Sequence, residues 1–340
     1  MKKFLLPQTN SYKANLHSHS TISDGCWTPE QMKKEYQKRG YSIVAYTDHN
    51  MMIDHHKDLS DSEFLALRGF EVQIAQPKSE TDALTPKTCH ICSIALDPDN
   101  LVQPCVNQKH LDHWRYYNKP AADWVIYDKS IPEFEYAYTV EKISEYMERC
   151  REEGFFVTYN HPVWSLETDA EYTAYHGMHA MEMCNYGCFV DGYEEYNPYI
   201  YDRMLRSGKR IFCIGADDNH NRGEIPERDS FGAFTVILAE KLDYKTVTDA
   251  MLRGDMYASQ GPLINSLFVE DGCVHITCSP ARRIYIGAET RFSQSVIAQD
   301  GKVLTEAVFT IPENCGYFRL TVEDAQGRHA NTRAYFPDEL

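Results

Sequence analysis

Tyr12-Lys13-Ala14-Asn15-Leu16-His17-Ser18-His19, with Ser23-Asp24-Gly25 just beyond it, is a short apolar run that ends in metal-binding side chains. Four more runs end in the same way. Ile43 to Tyr46 leads into Thr47-Asp48-His49-Asn50, and Phe64 to Phe70 into Glu71. Phe155 to Tyr159 leads into Asn160-His161-Pro162, and Ile211 to Gly215 into Asp217-Asp218-Asn219-His220. Short apolar runs of this kind read as strands. Side chains at the carboxyl ends of parallel strands converge on one rim of an α/β barrel, so residues distant in sequence can meet there.

Imidazole nitrogens mixed with carboxylate oxygens suit zinc, manganese or iron. They suit a magnesium-only site poorly, because magnesium prefers oxygen and water. The donors exceed what one tetrahedral or octahedral ion uses, which predicts at least two ions.

The ordered motifs His17-Ser18-His19 with Ser23-Asp24-Gly25, Thr47-Asp48-His49-Asn50, Gly69-Phe70-Glu71-Val72, Asn160-His161-Pro162 and Gly215-Ala216-Asp217-Asp218-Asn219-His220 resemble those of the PHP (polymerase and histidinol phosphatase) superfamily, over about residues 12–260. The resemblance implies a distorted (β/α)7 barrel whose rim binds up to three divalent ions and hydrolyses phosphoesters. It implies that His17, His19, Glu71 and Asp218 hold one ion, and that Glu71 bridges to a second held with His90 and His161. Asp24, His49 and His220 would hold the third. His90 opens the run Ile91 to Leu96, with His110 and His113 as nearby competitors. Two aspartates precede Asn219, so Asp218 fits the Asp-x-His spacing and Asp217 is the fallback.

A chain of 340 residues can bury one large core, or one large and one small domain. Its formal charge of -16 opposes a long nucleic-acid backbone. A cluster of divalent cations reverses that field locally, which favours a small phosphorylated substrate. Lys2 and Lys3 precede only Phe4-Leu5-Leu6 before Pro7, too short for a signal-peptide core, and no window is long enough for a membrane span. The eleven cysteines lack regular spacing and read as reduced thiols, so the expected compartment is the cytoplasm. Cys89-His90-Ile91-Cys92 has no second pair at zinc-ribbon spacing.

Thr28-Pro29 with Gln31 is a capping-box start and Gly40 a stop, which predicts a helix over 29–39. Thr139 opens a helix to about Glu153, closed by Gly154, and Tyr193 to Arg206 reads as another. This alternation predicts an α/β architecture. Residues 98–138 interrupt it as a long insertion rich in aromatics and cations, which reads either as a wall of the site or as a helical excursion packed on the barrel. Beyond about residue 260 the pattern alternates: Phe318, Leu320 and Val322 share a face, and Asp271-Gly272, Asp300-Gly301 and Gln326-Gly327 are turn signals. The expected organisation is a hydrolase barrel over 1–260 and a small β-sandwich-like domain over 261–340.

The expected function is a metal-dependent phosphoesterase acting on a small phosphorylated substrate, a monoester in the first instance. Coordination lowers the pKa of water from about 15.7 toward roughly 7, supplying a hydroxide for in-line attack. Asp48, beside His49, is expected to orient an imidazole. Arg222, two residues after His220, is assigned catalytic and substrate-binding roles, with Arg115 and Lys119 as further substrate clamps. Two alternatives stand beside this: cleavage of diesters at oligonucleotide ends, and a non-catalytic, metal-stabilised ligand-binding protein.

Overall fold

The computed structural model describes residues 2–78, 86–117 and 119–340, without the side chains of Tyr117 and Lys119. Two short strands open the chain, β1 (Lys3–Phe4) and β2 (Asn10–Asn15). Helix α1 (Pro29–Lys38) has the expected capping box, in which Thr28 and Gln31 satisfy each other's backbone N–H groups. There follow β3 (Ile43–Tyr46), α2 (His56–Leu59), β4 (Leu65–Ala75) and β5 (Thr88–Ala95). The insertion carries α3 (Gln108–Tyr117) and α4 (Lys119–Trp124), and Thr139 then caps α5 (Val140–Glu152). Next come β6 (Phe155–Asn160), α6 (Asp169–Tyr172), β7 (Ala180–Asn185), α7 (Tyr186–Val190), α8 (Pro198–Arg206) and β8 (Phe212–Ala216). The expected helix from Tyr193 begins only at Pro198. Proline has no N–H to donate and takes the first helical turn, while Tyr196 bridges to Cys184.

After β9 (Phe234–Ala239), α9 (Tyr244–Arg253) and β10 (Met256–Ser259) come seven strands and a closing 3-10 turn at Pro337–Glu339. These strands are β11 (Ile264–Glu270), β12 (Cys273–Ala281), β13 (Arg283–Ala288), β14 (Ser293–Ile297), β15 (Leu304–Thr310), β16 (Phe318–Glu323) and β17 (His329–Thr332). One sheet of 13 strands runs β14-β13-β16-β17-β10-β9-β2-β3-β4-β5-β6-β7-β8, and a second of four runs β1-β11-β12-β15. Leu267, Val274 and Phe309 of the small sheet share a core with Ile284, Leu320 and Val322 of the large one, so the two pack face to face.

The large sheet departs from a closed (β/α)7 barrel. Among the named strands no ladder joins β8 to β2 or β9, and β2 pairs with β9 antiparallel. Just past their ends, a parallel bridge at Ser18 and Asn219, with Asp218 N donating to His17 O (3.0 Å) and His19 N to Asn219 O (3.1 Å), ties β2 to β8. The sheet nevertheless rolls: Thr235 on β9 bonds both Gly215 N (3.1 Å) and Gly215 O (2.9 Å) on β8 through its hydroxyl. Ala14, Ile43, Leu67, Ile94, Phe156, Ala180, Ile214 and Ile237 meet inside the roll with Val247 and Met251 of α9. Helix α9 covers the end of the roll where β5 finishes, with Tyr244 Oη 2.9 Å from Ala95 O and Thr248 Oγ1 2.8 Å from Leu96 O.

Strand β5 runs antiparallel to both β4 and β6. Its start therefore lies on the rim where its neighbours end, and His90 pairs with Asn160 at the end of β6. Glu71 also differs from expectation, lying inside β4 rather than after its end, because the ladder with β5 continues to Ala75. Among the described residues no helix is long and apolar enough to cross a membrane.

In the segment after β6, Glu167 is buried and accepts hydroxyl bonds from Tyr138 (3.0 Å), Tyr159 (2.6 Å) and Tyr175 (2.5 Å). Burial raises its carboxyl to about 7, against the lowering effect of the tyrosine hydroxyls. A carboxyl with a raised folded pKa holds its proton longer in the native state, so its contribution to stability is full below its unfolded pKa and is lost as pH rises toward 7. Denaturant titrations are expected to show Glu167→Gln gaining stability relative to wild type between about pH 4.5 and 7, by a few kcal/mol in total. A difference that stays flat with pH would contradict this.

Candidate metal centre

The rim residues meet in a cleft of about 390 Å³ lined by Asp24, His49, Glu71, His90, His161, Asp218 and His220. His17 and His19 lie fully buried beneath them. Glu71 is the hub. Its Oε1 lies 3.1 Å from His17 Nε2, 2.9 Å from His90 Nδ1 and 3.4 Å from His161 Nε2. Its Oε2 lies 3.3 Å from His19 Nε2 and 3.1 Å from His49 Nδ1. Asp218 Oδ1 stands 3.0 Å from His19 Nε2 and 3.2 Å from His17 Nε2.

Among the described residues, three groups have donor atoms close enough to share an ion: His19, Asp24, His49 and His220; His17, Glu71 and His161; and His17, His19 and Asp218. All the ligands expected from sequence therefore lie together, with His90 joined through Glu71 rather than within a group. His19 belongs to two groups, its Nε2 facing Asp218 and its Nδ1 lying 3.9 Å from Asp24. Of the competitors for His90, His110 packs on Tyr136 at 4.5 Å, and His113 lines the cleft wall.

The donor chemistry fits divalent cations. His17 Nε2 and His19 Nε2 face each other at 3.2 Å, where at most one proton can stand between two lone pairs. His19 Nδ1 and His90 Nε2 are buried with no hydrogen-bond partner among the described residues, and Glu71 Oε2 and Asp218 Oδ1 approach imidazoles without hydrogen-bond geometry. Leaving such groups unsatisfied costs about 1–3 kcal/mol each, and more when charged. Burial opposes charge throughout the cluster, yet imidazoles and carboxylates shift one another toward the charged forms. Asp218 and Glu71 raise His19 to about 10, His161 is raised to about 9, and Glu71 and Asp218 are held well below the usual carboxylate range. In His90 burial wins over Glu71, and its pKa falls to about 4, leaving a neutral imidazole.

Local backbone geometry delivers these side chains. Asn50 (φ 56°), His161 (φ 26°), Asp218 (φ 52°) and Asn221 (φ 57°) all take left-handed conformations just past strand ends. Such strain in non-glycine residues persists where surrounding contacts over-determine it, and clusters at functional sites. The turn at Asp218 also separates the two aspartates. Asp217 points away, accepting from Phe231 N (2.8 Å), Gly232 N (3.0 Å), Ala233 N (3.0 Å) and Tyr36 Oη (2.9 Å), so the fallback reading is set aside.

Several sequence assignments take other partners. Asp48 orients no imidazole in these contacts; it accepts from Ser20 N (2.8 Å), Ser20 Oγ (2.8 Å), Ser23 N (3.1 Å) and Ser23 Oγ (2.7 Å), bracing the loop that presents Asp24. Gly25 closes that loop, where a Cβ would collide with the carbonyl of His19. Gly25→Ala is therefore expected to displace Asp24 and lower activity at least about tenfold, with destabilisation of about 1–3 kcal/mol; unchanged kinetics and melting would contradict the argument. Arg222 lines the cleft but is ion-paired with Asp24 and bonds its carbonyl. Arg115 lies outside the cleft lining, paired with Asp112 and with Asp123 at 3.1 Å, as expected of a cation among helix acids. The Lys119 side chain lies outside the described residues.

Sequence reading missed the supports. Glu182 on β7 is fully buried, with Oε1 2.7 Å from His17 Nδ1 and Oε2 accepting from His161 N (2.9 Å) and Asn185 Nδ2 (3.0 Å). The isolated acid within Ala180–Asn185, an otherwise uncharged run, was the available signal. Trp114, from the insertion, stacks on His49 at 5.0 Å, and Trp164 meets His90 and His161 edge-on at 5.0 and 5.1 Å. Gln73, Arg228 and Asp191 complete the walls.

No family model matches the chain, and no curated protein is similar to it. Among solved structures it is similar to a two-domain protein from Bacteroides vulgatus containing a predicted PHP-like metal-dependent phosphoesterase, at 13% identity and TM-score 0.45, over 98% of each chain. It is also similar to a candidate metal-dependent phosphoesterase from Bifidobacterium adolescentis, at 18% identity and TM-score 0.39, over 73% of this chain and 98% of that one. An amidohydrolase from Chromobacterium violaceum, solved with sulfate and no metal, matches at 15% identity and TM-score 0.35, over 63% of this chain and 89% of that one. Solved structures similar to this chain thus include one described as containing a PHP-like metal-dependent phosphoesterase and one described as a metal-dependent phosphoesterase, at low sequence identity.

Proposed function

We propose that the protein is a metal-dependent phosphoesterase of the PHP type that hydrolyses a small phosphorylated substrate, a monoester in the first instance. The observation that carries this reading is the convergence of five imidazoles on the two oxygens of Glu71, with Asp24, Asp218 and His220 completing the donor set in one cleft. His17, His19, Glu71 and Asp218 would hold one divalent ion, Glu71 with His90 and His161 a second, and Asp24, His49 and His220 a third. Zinc, manganese and iron suit these donors. Ions bound there supply Lewis acidity at the phosphoryl oxygens and activate water as the nucleophile.

The chain's own groups do the positioning. Glu182 accepts the Nδ1 proton of His17 and so turns the Nε2 lone pair toward the cluster. Asp48 fixes the loop bearing Asp24, and Arg222 beside Asp24 stands at the open side to meet a non-bridging oxygen. Trp114 and Trp164 wall the ligand imidazoles from bulk water. A formal charge of -16 favours a compact substrate over a long nucleic acid.

The test is turnover of p-nitrophenyl phosphate against bis(p-nitrophenyl) phosphate by protein reconstituted with manganese, zinc or iron, with Glu71→Gln as the contamination control. Preference for the monoester, lost in the variant, is expected. Preference for the diester would transfer the reading to cleavage at oligonucleotide ends, and metal binding without turnover of a wide phosphoester panel would leave a binding protein.

A further inference from the structure

The two tryptophans of the cleft begin where the candidate ligands end. Trp114 is stacked on His49, with 14° between the rings, and Trp164 packs edge-on against His90 and His161. Both indoles also line the cleft, beside the candidate ligands they contact. Gln73 lies two residues beyond Glu71 on β4 and so shares its face of the strand. It is exposed in a stretch that is otherwise buried, it lines the cleft, and its side-chain amide makes no hydrogen bond to a described residue. Both arginines of the lining are already held by carboxylates, Arg222 by Asp24 and Arg228 by Asp191 at 2.6 Å.

Flat indole surfaces match the C–H faces of a saturated ring, and one amide offers a donor and an acceptor to neighbouring hydroxyls. With Arg222 assigned above to the scissile phosphate and Arg228 held by Asp191, neither lining arginine is left for a second anionic group. The cleft volume of about 390 Å³ lies within the range of small-molecule sites. We propose that the site selects phosphoesters whose leaving group is an uncharged sugar, its ring seated against Trp114 and Trp164 and its hydroxyls bound by Gln73. This rests on the hydrolase reading above and specifies the leaving-group side of the same cleft.

The experiment compares the manganese-reconstituted protein on glucose 1-phosphate, glucose 6-phosphate and glycerol 3-phosphate. At least one sugar phosphate is expected to exceed glycerol 3-phosphate about tenfold in kcat/KM, and Trp114→Ala or Gln73→Ala is expected to erode that ratio about tenfold through KM, with Trp114→Phe restoring most of it. In parallel, tryptophan fluorescence is titrated with the same compounds, which reads binding without turnover. Hydrolysis with no preference for the sugars, or a preference untouched by both alanine variants, overturns the proposal and leaves the hydrolase reading intact. Trp114-dependent binding of a glucose phosphate without hydrolysis of any ester does the reverse. Neither hydrolysis nor sugar-phosphate binding overturns both.

Discussion

Glu71→Gln is expected to cost the protein at least one bound ion per chain and at least about a thousandfold in turnover, with little change in the far-ultraviolet circular dichroism. Glutamine keeps the shape of the side chain and removes its charge. At this position the charge is what matters, because both oxygens face imidazole nitrogens within 3.4 Å and the group is fully buried. Burial alone would protonate Glu71; the surrounding imidazoles hold it ionised. An amide would turn N–H donors toward the nitrogens that must offer lone pairs to a cation. Outer partners of metal ligands typically account for about 10–100-fold, and a group shared between ions should exceed that. Elemental analysis with steady-state kinetics measures both quantities, and unchanged metal content would remove Glu71 from the ligand set.

Glu182→Gln is expected to weaken metal binding about 10–100-fold without any loss of a direct ligand. Its carboxylate holds His17 through Nδ1 at 2.7 Å and the backbone of His161 at 2.9 Å, coupling two candidate ligands on different strands. The amide can still accept one of these bonds, but it can also donate to His17 Nδ1 and so favour the wrong tautomer. Chelator competition measures the affinity; values within twofold of wild type would make Glu182 merely a packing group. The two variants differ in kind: Glu71→Gln should lower the number of ions at saturation, whereas Glu182→Gln should shift the concentration at which they bind.

Much of the site was legible because its signals are local. His17, His19, His49, His161, Asp218 and His220 sit at or shortly past the end of an apolar run, and a strand delivers a residue at its end to the rim whatever else the chain does. Helices α1 and α5 were legible for the same reason, since capping side chains act within three residues. The turn signal Asp271-Gly272 likewise lies between paired β11 and β12, with both residues at positive φ.

What the sequence by itself determined was therefore the supply of donors and the strand ends that carry them. Tertiary structure decided which way each group faces and what holds it. Asp217 and Asp218 are chemically identical neighbours, and only the left-handed backbone at Asp218 sends one into the cleft while the N–H groups of residues 231–233 capture the other. His90 reaches the rim from the start of a strand because β5 is reversed. Arg115 is consumed by Asp112 and Asp123, while Trp114 beside it reaches His49. Glu182 becomes a support because β7 pairs with β6 and rolling of the sheet brings it beside His17, which follows β2. The physical reason is range: capping and strand periodicity act over a few residues, whereas side-chain pairing across the roll depends on sheet curvature and register set by the whole chain.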